Sequence, residues 1–198
     1  MTSFATLRSL AQRPQTSERC KLCGAGISHV HQHLMEPASR TLVCTCDACA
    51  ALFYQNGETK YKRVPRRIRL LGDFRIADSQ WDSLLIPIGL AFFVENSVEN
   101  RVLALYPSPA GSTESMLSLE AWREIVEENP VLSEMQPDVE ALLANRLDGA
   151  REYYVTPIDK CYELVGLIRA NWRGLSGGTE VWQKIHEFFA ELKETASA

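Results

Sequence analysis

Apolar runs in the second half of the chain predict a small antiparallel sheet. Residues 86–94 and 102–106 are apolar, aromatic and β-branched, and the polar stretch 95–100 separates them. This composition suits a pleated, half-buried surface, so we expect two paired strands here. Residues 152–158 have the same character and predict a third strand.

Helical spacing dominates the rest of the second half. Periodicity and helix-end signals predict four helices, over residues 118–128, 138–146, 159–172 and 180–192. Within the third, Cys161, Val165 and Ile168 recur at helical spacing and predict a stripe that faces the core. Cys161 is therefore interpreted as a packing residue. The expected fold class is α+β, with an N-terminal zinc-ribbon-like β-hairpin followed by a small antiparallel sheet packed with helices.

The cysteines form the most specific motif of the sequence. Five of the six cysteines fall within thirty positions, and four of them make two C-x-x-C pairs, Cys20 with Cys23 and Cys46 with Cys49. One such turn aims two sulfurs at one cation, and two turns complete a tetrahedron. The spacing predicts a four-cysteine metal site in a zinc-ribbon or rubredoxin-like hairpin. Zinc is the expected ion, and iron is the alternative.

One more cysteine and three histidines lie between the two pairs. Cys44 is surplus to the tetrahedron, and we interpret it as a thiol beside the site or as a replacement for Cys46. His29, His31 and His33 alternate, so on a strand they share one face. His31, His33 and Cys44 are candidate additional ligands, because a mixed nitrogen and sulfur site still suits zinc. Histidines on strands are more often surface or packing residues, and an iron–sulfur cluster or a part in metal transfer is a further interpretation.

Charge divides the chain into two parts of opposite sign. Residues 1–70 hold 11 Lys and Arg against 4 Asp and Glu, whereas residues 71–198 hold 10 against 21. This division suggests modules that attract one another, or a basic module that faces an acidic partner. The predicted organisation is an N-terminal tail 1–19, a metal-binding ribbon 20–57, a basic linker 58–72 and an α+β domain 73–198. Bound metal is expected to supply much of the folding energy of so small a ribbon.

The basic linker carries six cations within ten residues, namely Lys60, Lys62, Arg63, Arg66, Arg67 and Arg69. A zinc ribbon beside a basic, aromatic-containing run is compatible with nucleic-acid binding. A solvated linker, or a strip that docks against the acidic C-terminal part, explains the same residues, and we favour this interpretation. Nucleic acid is not the expected partner.

Composition and the N-terminus bear on location. With 45% hydrophobic and 23% charged residues, the chain has the make-up of a soluble globular protein. The longest mostly apolar run, residues 84–94, contains Pro87 and is too short to span a bilayer. Residues 1–14 lack a continuous apolar core and a small-residue cleavage site, so we expect no signal peptide and a cytoplasmic protein. Reduced thiolates that bind metal fit that compartment.

Candidate catalytic groups are few. Residues 107–114 contain two prolines and a glycine and predict a rigid loop that ends at Glu114, either a structural turn or a binding loop. Asp159, Cys161 and Glu163 lie near the predicted start of a helix, whose dipole lowers a thiol pKa. No nucleophile, base and orienting group occur at recognisable spacing, so we do not expect an enzyme. An enzyme with a site around this loop and Cys161 is kept as an alternative.

The motifs together resemble an uncharacterised bacterial family encoded in NiFe-hydrogenase gene clusters. The resemblance covers about residue 20 to the C-terminus and rests on Cys20, Cys23, His31, His33, Leu34, Cys44, Cys46 and Cys49, and on residues 107–115, 137–143, 157–166, 172–174 and 177–178. It implies a part in making, inserting metal into, or protecting a hydrogenase. It implies no activity and no catalytic residue.

These observations lead to one function and three alternatives. The expectation is a non-catalytic accessory or maturation factor for a NiFe hydrogenase, whose four-cysteine site holds a ribbon that docks on a hydrogenase subunit or maturation protein. The alternatives are a rubredoxin-like iron protein for electron transfer or oxidative protection, the enzyme described above, and a nucleic-acid-binding zinc ribbon.

Overall fold

The computed structural model describes residues 18–54, 60–115, 119–174 and 176–197, so most of the predicted N-terminal tail lies outside the described residues. The strands of the described part form two separate sheets. The front sheet has three strands in the order β2-β1-β3, namely β1 (Gln32–Glu36), β2 (Thr41–Thr45) and β3 (Lys62–Arg63). Helix α1 (Asp47–Tyr54) follows β2. The predicted hairpin is therefore present, and a third short strand extends it.

A six-stranded sheet forms the centre of the remaining chain. Its order is β4-β9-β8-β5-β6-β7, and its strands are β4 (Arg69–Leu70), β5 (Leu90–Asn96), β6 (Arg101–Ser108), β7 (Gly111–Ser115), β8 (Glu140–Asn145) and β9 (Glu152–Pro157). Every neighbouring pair is antiparallel. The two long apolar runs pair as predicted, with Phe92 opposite Leu105. We refer to this sheet and its helices as the body.

Helices cover both faces of the six-stranded sheet. They are α2 (Asp78–Ser83), α3 (Leu119–Glu128), α4 (Ile158–Asn171) and α5 (Gly178–Thr195), with short 3-10 turns at Pro130–Glu134 and Leu147–Gly149. Residues from α4 and α5 share one apolar core with Phe92 and Leu143. Trp81 of α2 and Trp122 of α3 share the second core with Phe93. The predicted α+β class is confirmed.

The predicted helix over residues 138–146 is wrong. This segment forms β8, a central strand that pairs with β5 on one side and β9 on the other. All six residues of Glu140–Asn145 are buried, including the charged Glu140. The run of alanine and leucine favours a helix locally, but pairing on both edges and burial on both faces decide the structure.

Of the two interpretations of residues 107–114, the structure shows the structural turn and not a rigid binding loop. β6 extends to Ser108 and β7 begins at Gly111, so the prolines and the glycine lie in a tight antiparallel hairpin. Gly111 adopts a φ of 128°, which lies in a region that L side chains rarely adopt. Pro107 is tolerated in β6 because it lies beyond Leu105, where the pairing of β6 with β5 ends.

The basic linker docks on the body through ion pairs. Lys62 binds Asp138 at 2.6 Å, and the Arg67 Nε binds the Glu140 carboxylate at 2.9 Å. The linker also supplies β3 to the front sheet and β4 to the six-stranded sheet. These contacts agree with the docking interpretation of the strip. Met35 of β1 adds an apolar contact, because it lies in the same core as α4 and α5.

Among the helices of the described residues, none combines the length and the apolar content that a membrane span needs.

Candidate metal centre

Two local turns position the four predicted cysteine ligands. Cys20 and Cys23 lie in a turn that precedes β1, and it is closed by a hydrogen bond from the Gly24 N–H to the Cys20 carbonyl at 2.9 Å. Gly24 has a φ of 76°, a left-handed conformation that glycine adopts without strain. Cys46 directly precedes α1 and Cys49 lies in its first turn. Each C-x-x-C pair is therefore held by its own backbone.

The structure brings all four sulfurs together. The Sγ atoms of Cys20, Cys23, Cys46 and Cys49 lie within 4.8 Å of one another, and the Sγ atoms of Cys23 and Cys46 are 3.7 Å apart. Four thiolates at about 2.3 Å from a central zinc ion would be separated by about 3.8 Å. The spacing therefore fits one tetrahedrally coordinated ion, and the four cysteines could bind a metal.

Burial differs among the four ligands. Cys20 is 2% exposed and Cys49 is 9% exposed, whereas Cys23 lies at the surface. The ion would lie between the Cys20–Cys23 turn and the start of α1, with the Cys23 side of its coordination sphere turned to solvent. All six cysteines of the chain are free thiols, so no disulfide competes with metal binding.

Backbone N–H groups stabilise negative charge on a sulfur of the cluster. Burial acts to raise the pKa of Cys20, but hydrogen bonds from the backbone of Cys46, Cys23 and Leu22 outweigh it and lower the pKa to about 6. Burial, together with the neighbouring thiols, raises the pKa of Cys49. One thiolate is thus favoured by the protein alone, and a bound cation would stabilise the other three.

The candidate additional ligands are not part of this cluster. His31, His33 and Cys44 form a second group, whose three ligand atoms also lie within 4.8 Å of one another. The pairing of β1 with β2 explains the grouping, because His33 is directly opposite Cys44 and both side chains project from the same face. His29 is exposed and is not a member of this group.

The candidate catalytic groups do not form a site of their own. Cys161 is 0% exposed, and burial raises the pKa of its thiol. Glu114 lies on β7 and forms ion pairs with Arg101 at 2.7 Å and Arg40 at 3.7 Å. Glu163 pairs with Lys160 at 2.7 Å. A nucleophilic Cys161 beside Glu114 therefore has no support in this geometry.

Sequence reasoning missed the contact of Asp159 with the ribbon. Its Oδ2 lies 2.8 Å from the Nδ1 of His33, and the two residues are 126 positions apart. Asp159 belongs to the first turn of α4, and its position two residues after Pro157 indicates only the start of a helix. No local pattern indicates a contact between a histidine of the ribbon and the body.

Neither the search of curated proteins nor the search of solved structures finds a match to the chain. One family, described as a family of unknown function, DUF5947, matches residues 19–196. The match includes all four clustered cysteines, both histidines of the second group and the whole six-stranded sheet. The chain belongs to the DUF5947 family.

Proposed function

We propose that the protein is a non-catalytic accessory factor of a NiFe hydrogenase, in which zinc at the four-cysteine site holds a ribbon that docks on a hydrogenase subunit or a maturation protein. The observation that carries the proposal is the approach of the four sulfurs to within 4.8 Å. Four protein thiolates fill every position of a tetrahedral zinc ion and leave none for a substrate. This arrangement is typical of structural zinc sites.

The ribbon has too little apolar core to support itself. Apart from Met35, which lies in the body core, its buried apolar residues among those described are Leu34, Val43 and Ala50, with the two buried cysteines. Chain entropy opposes folding by about 1–2 kcal/mol per ordered residue. A bound ion supplies the difference, and the ribbon then presents a rigid surface to a partner.

The exposed apolar residues of the ribbon support docking. Val30 is 73% exposed and Leu52 is 62% exposed, so both apolar side chains are free to be buried against a partner. The basic linker has less charge to offer a partner than the sequence suggests. Its Lys62 and Arg67 already pair with carboxylates of the body. We therefore assign partner recognition to the ribbon surface.

The hydrogenase partner rests on the resemblance of the cysteine, histidine and proline motifs described above. Family membership adds no partner, since the family is one of unknown function. The decisive experiment is affinity capture of the full chain from cells that express a NiFe-hydrogenase operon, with elemental analysis of the same sample. We expect zinc in the sample, and a hydrogenase subunit or maturation protein among the captured proteins.

A matched variant separates docking through the ribbon from unspecific capture. Cys23→Ser with Cys46→Ser removes one ligand from each turn and is expected to lose both zinc and partner. Val98→Ala, at an exposed position of the body, is the control and should keep both. Fully zinc-loaded wild-type protein that captures no hydrogenase component would refute the proposed partner.

Iron at the same four thiolates gives the second candidate, a rubredoxin-like electron carrier. The exposed Cys23 favours it, because a surface ligand shortens the path for an electron. Visible absorption of the purified protein distinguishes the two ions, since zinc thiolates are colourless. Iron in the elemental analysis, with a coloured sample that bleaches on reduction, would favour this candidate.

A further inference from the structure

The group formed by His31, His33 and Cys44 lies beside the four-cysteine cluster and takes no part in it. Each residue offers one ligand atom, and the three atoms lie within 4.8 Å of one another. Two imidazoles and one thiolate are a donor set that suits zinc and neighbouring divalent transition metals. The arrangement of the histidines decides whether this group is a metal site or only packing.

The His31 ring is oriented by hydrogen bonds at one nitrogen only. Its Nδ1 lies 2.9 Å from the carbonyl oxygen of Ser28 and 3.4 Å from a carboxylate oxygen of Glu18. Both neighbours are acceptors, so Nδ1 carries the proton and donates it. The lone pair is then on Nε2, which is buried and has no hydrogen-bond partner. The His31 side chain is only 8% exposed, so water does not compensate this nitrogen from the surface.

The His33 ring is also oriented by a hydrogen bond from Nδ1, here to a carboxylate. Its Nδ1 lies 2.8 Å from Asp159 Oδ2, so the proton is again on Nδ1 and the lone pair on Nε2. In metal sites, a histidine that binds the ion through one nitrogen usually donates a hydrogen bond from the other nitrogen to a carboxylate. A backbone carbonyl oxygen, such as that of Ser28 beside His31, is the other common acceptor. Both rings are thus held in the form in which Nε2 binds a cation.

Two of the three residues, His31 and His33, border a cleft. A cavity of about 670 Å³ is lined by both histidines together with Arg66, Asp159, Lys160 and Tyr162. Three protein ligands leave one tetrahedral position, and three-ligand zinc sites use it for water or a small ligand. The four-cysteine cluster offers no such position.

We propose that His31 Nε2, His33 Nε2 and Cys44 Sγ bind a second zinc ion, whose fourth position faces this cleft, and that Asp159 is a positioning residue for His33. The chain then binds two ions with different functions, one closed within the ribbon and one open at its junction with the body. This inference does not depend on the hydrogenase partner.

The test uses the full chain loaded with cadmium, which replaces zinc and is observed by ¹¹³Cd NMR. Two bound ions with two separate resonances are expected, because the number of sulfur ligands differs between the sites. His33→Gln and Cys44→Ser should each remove one resonance and leave the four-sulfur resonance, which also reports that the ribbon is folded. His29→Gln is the matched control, since His29 lines the same cleft outside the group. It should keep both.

Asp159→Asn sharpens the test. Loss of the carboxylate that accepts from His33 is expected to weaken metal affinity at the second site by about 10–100-fold. Affinity at the four-cysteine site should not change. Glu163→Gln, on the same cleft wall and helix, should change neither affinity. One bound ion in saturated wild-type protein, or two resonances that persist in His33→Gln and Cys44→Ser, would overturn the second site and leave the four-cysteine site unaffected. Equal loss of affinity in both carboxylate variants would refute the positioning function of Asp159.

Discussion

The ribbon and the body differ in how much apolar core they bury. The body buries Phe92, Phe93 and Leu143 almost completely, between helices on both faces of its sheet. The ribbon has few buried apolar residues but gathers four sulfurs within 4.8 Å. Apolar burial scales with the number of residues that can share a core, so a short hairpin gains little from it. We therefore expect the ribbon to depend on a bound ion, whereas packing stabilises the body.

The largest expected effect is the loss of the ribbon when its ion is removed. A chelator, or Cys23→Ser with Cys46→Ser, should unfold β1 and β2 while β5 and β8 stay folded. The free energy of zinc binding in small zinc domains is on the order of 10 kcal/mol, which exceeds what this core supplies. Hydrogen exchange followed by mass spectrometry measures both regions in one sample. Unchanged protection of β1 and β2 without metal would contradict the comparison.

The second prediction tests the body, whose stability should depend on its apolar core and not on metal. Phe92→Ala removes a side chain that is 0% exposed and should destabilise the body by about 3–5 kcal/mol, because a cavity remains. Thermal unfolding measures the loss, and zinc content per chain should stay unchanged. Val98→Ala, at a residue that is 61% exposed, is the control and should have little effect. Loss of zinc in folded Phe92→Ala would mean that the ribbon depends on the body core.

The third prediction concerns the junction between the two regions. Arg67→Ala leaves the Glu140 carboxylate, which is 0% exposed, without its cation, although the Gln136 N–H still donates to it at 2.9 Å. We expect a loss of about 2–3 kcal/mol in urea unfolding, below the value for a fully buried pair because Arg67 is half exposed. Glu140→Gln in the same background should recover part of it.

Lys60→Ala is the matched control for the junction. Lys60 pairs with Glu36 at 2.7 Å, but the lysine is 66% exposed and solvent screens the pair. Its removal should leave the unfolding midpoint within error. Equal effects of Arg67→Ala and Lys60→Ala would show that the buried carboxylate does not hold the linker on the body.

The smallest effect is a pH dependence of the body. Burial raises the pKa of Tyr154 to about 12, and its hydroxyl has no partner among the described residues. The folded state therefore binds the phenol proton more tightly than the unfolded state. This contribution is complete below pH of about 10 and is lost as pH rises towards about 12.

Tyr154→Phe removes this ionisation. Stability at neutral pH should change by less than about 1 kcal/mol, because no hydrogen bond is lost. Urea unfolding at pH about 8 and about 11 should give a smaller difference in the variant than in the wild type. Tyr106→Phe, at a half-buried position, is the control. An identical alkaline loss in Tyr154→Phe and wild type would assign the loss to other groups.

The sequence predicts those features that depend on residues close together along the chain. Each C-x-x-C pair closes its own turn, so the spacing alone predicted the approach of Cys20 to Cys23 and of Cys46 to Cys49. The apolar, aromatic and β-branched runs likewise predicted the pairing of β5 with β6. Strand β8 was missed because its alanines and leucines favour a helix, and only its two neighbours in the sheet make it a strand.

The second group of candidate ligands was predicted only in part. Strand alternation placed His31 and His33 on one face, but the choice between the four-sulfur cluster and a separate group depends on the β1–β2 register. The contact of His33 with Asp159 joins residues 126 positions apart. Such contacts are fixed by how the ribbon packs on the body, which no single stretch of sequence encodes.

The position of β4 has a consequence for biosynthesis. Arg69 pairs with Val155, and the Leu70 N–H donates to the Ser197 carbonyl at 3.0 Å. The six-stranded sheet therefore cannot close until this late part of the chain has left the ribosome. The ribbon, by contrast, needs only residues up to α1 for its four sulfurs, so we expect the nascent chain to load its first ion before its larger sheet exists.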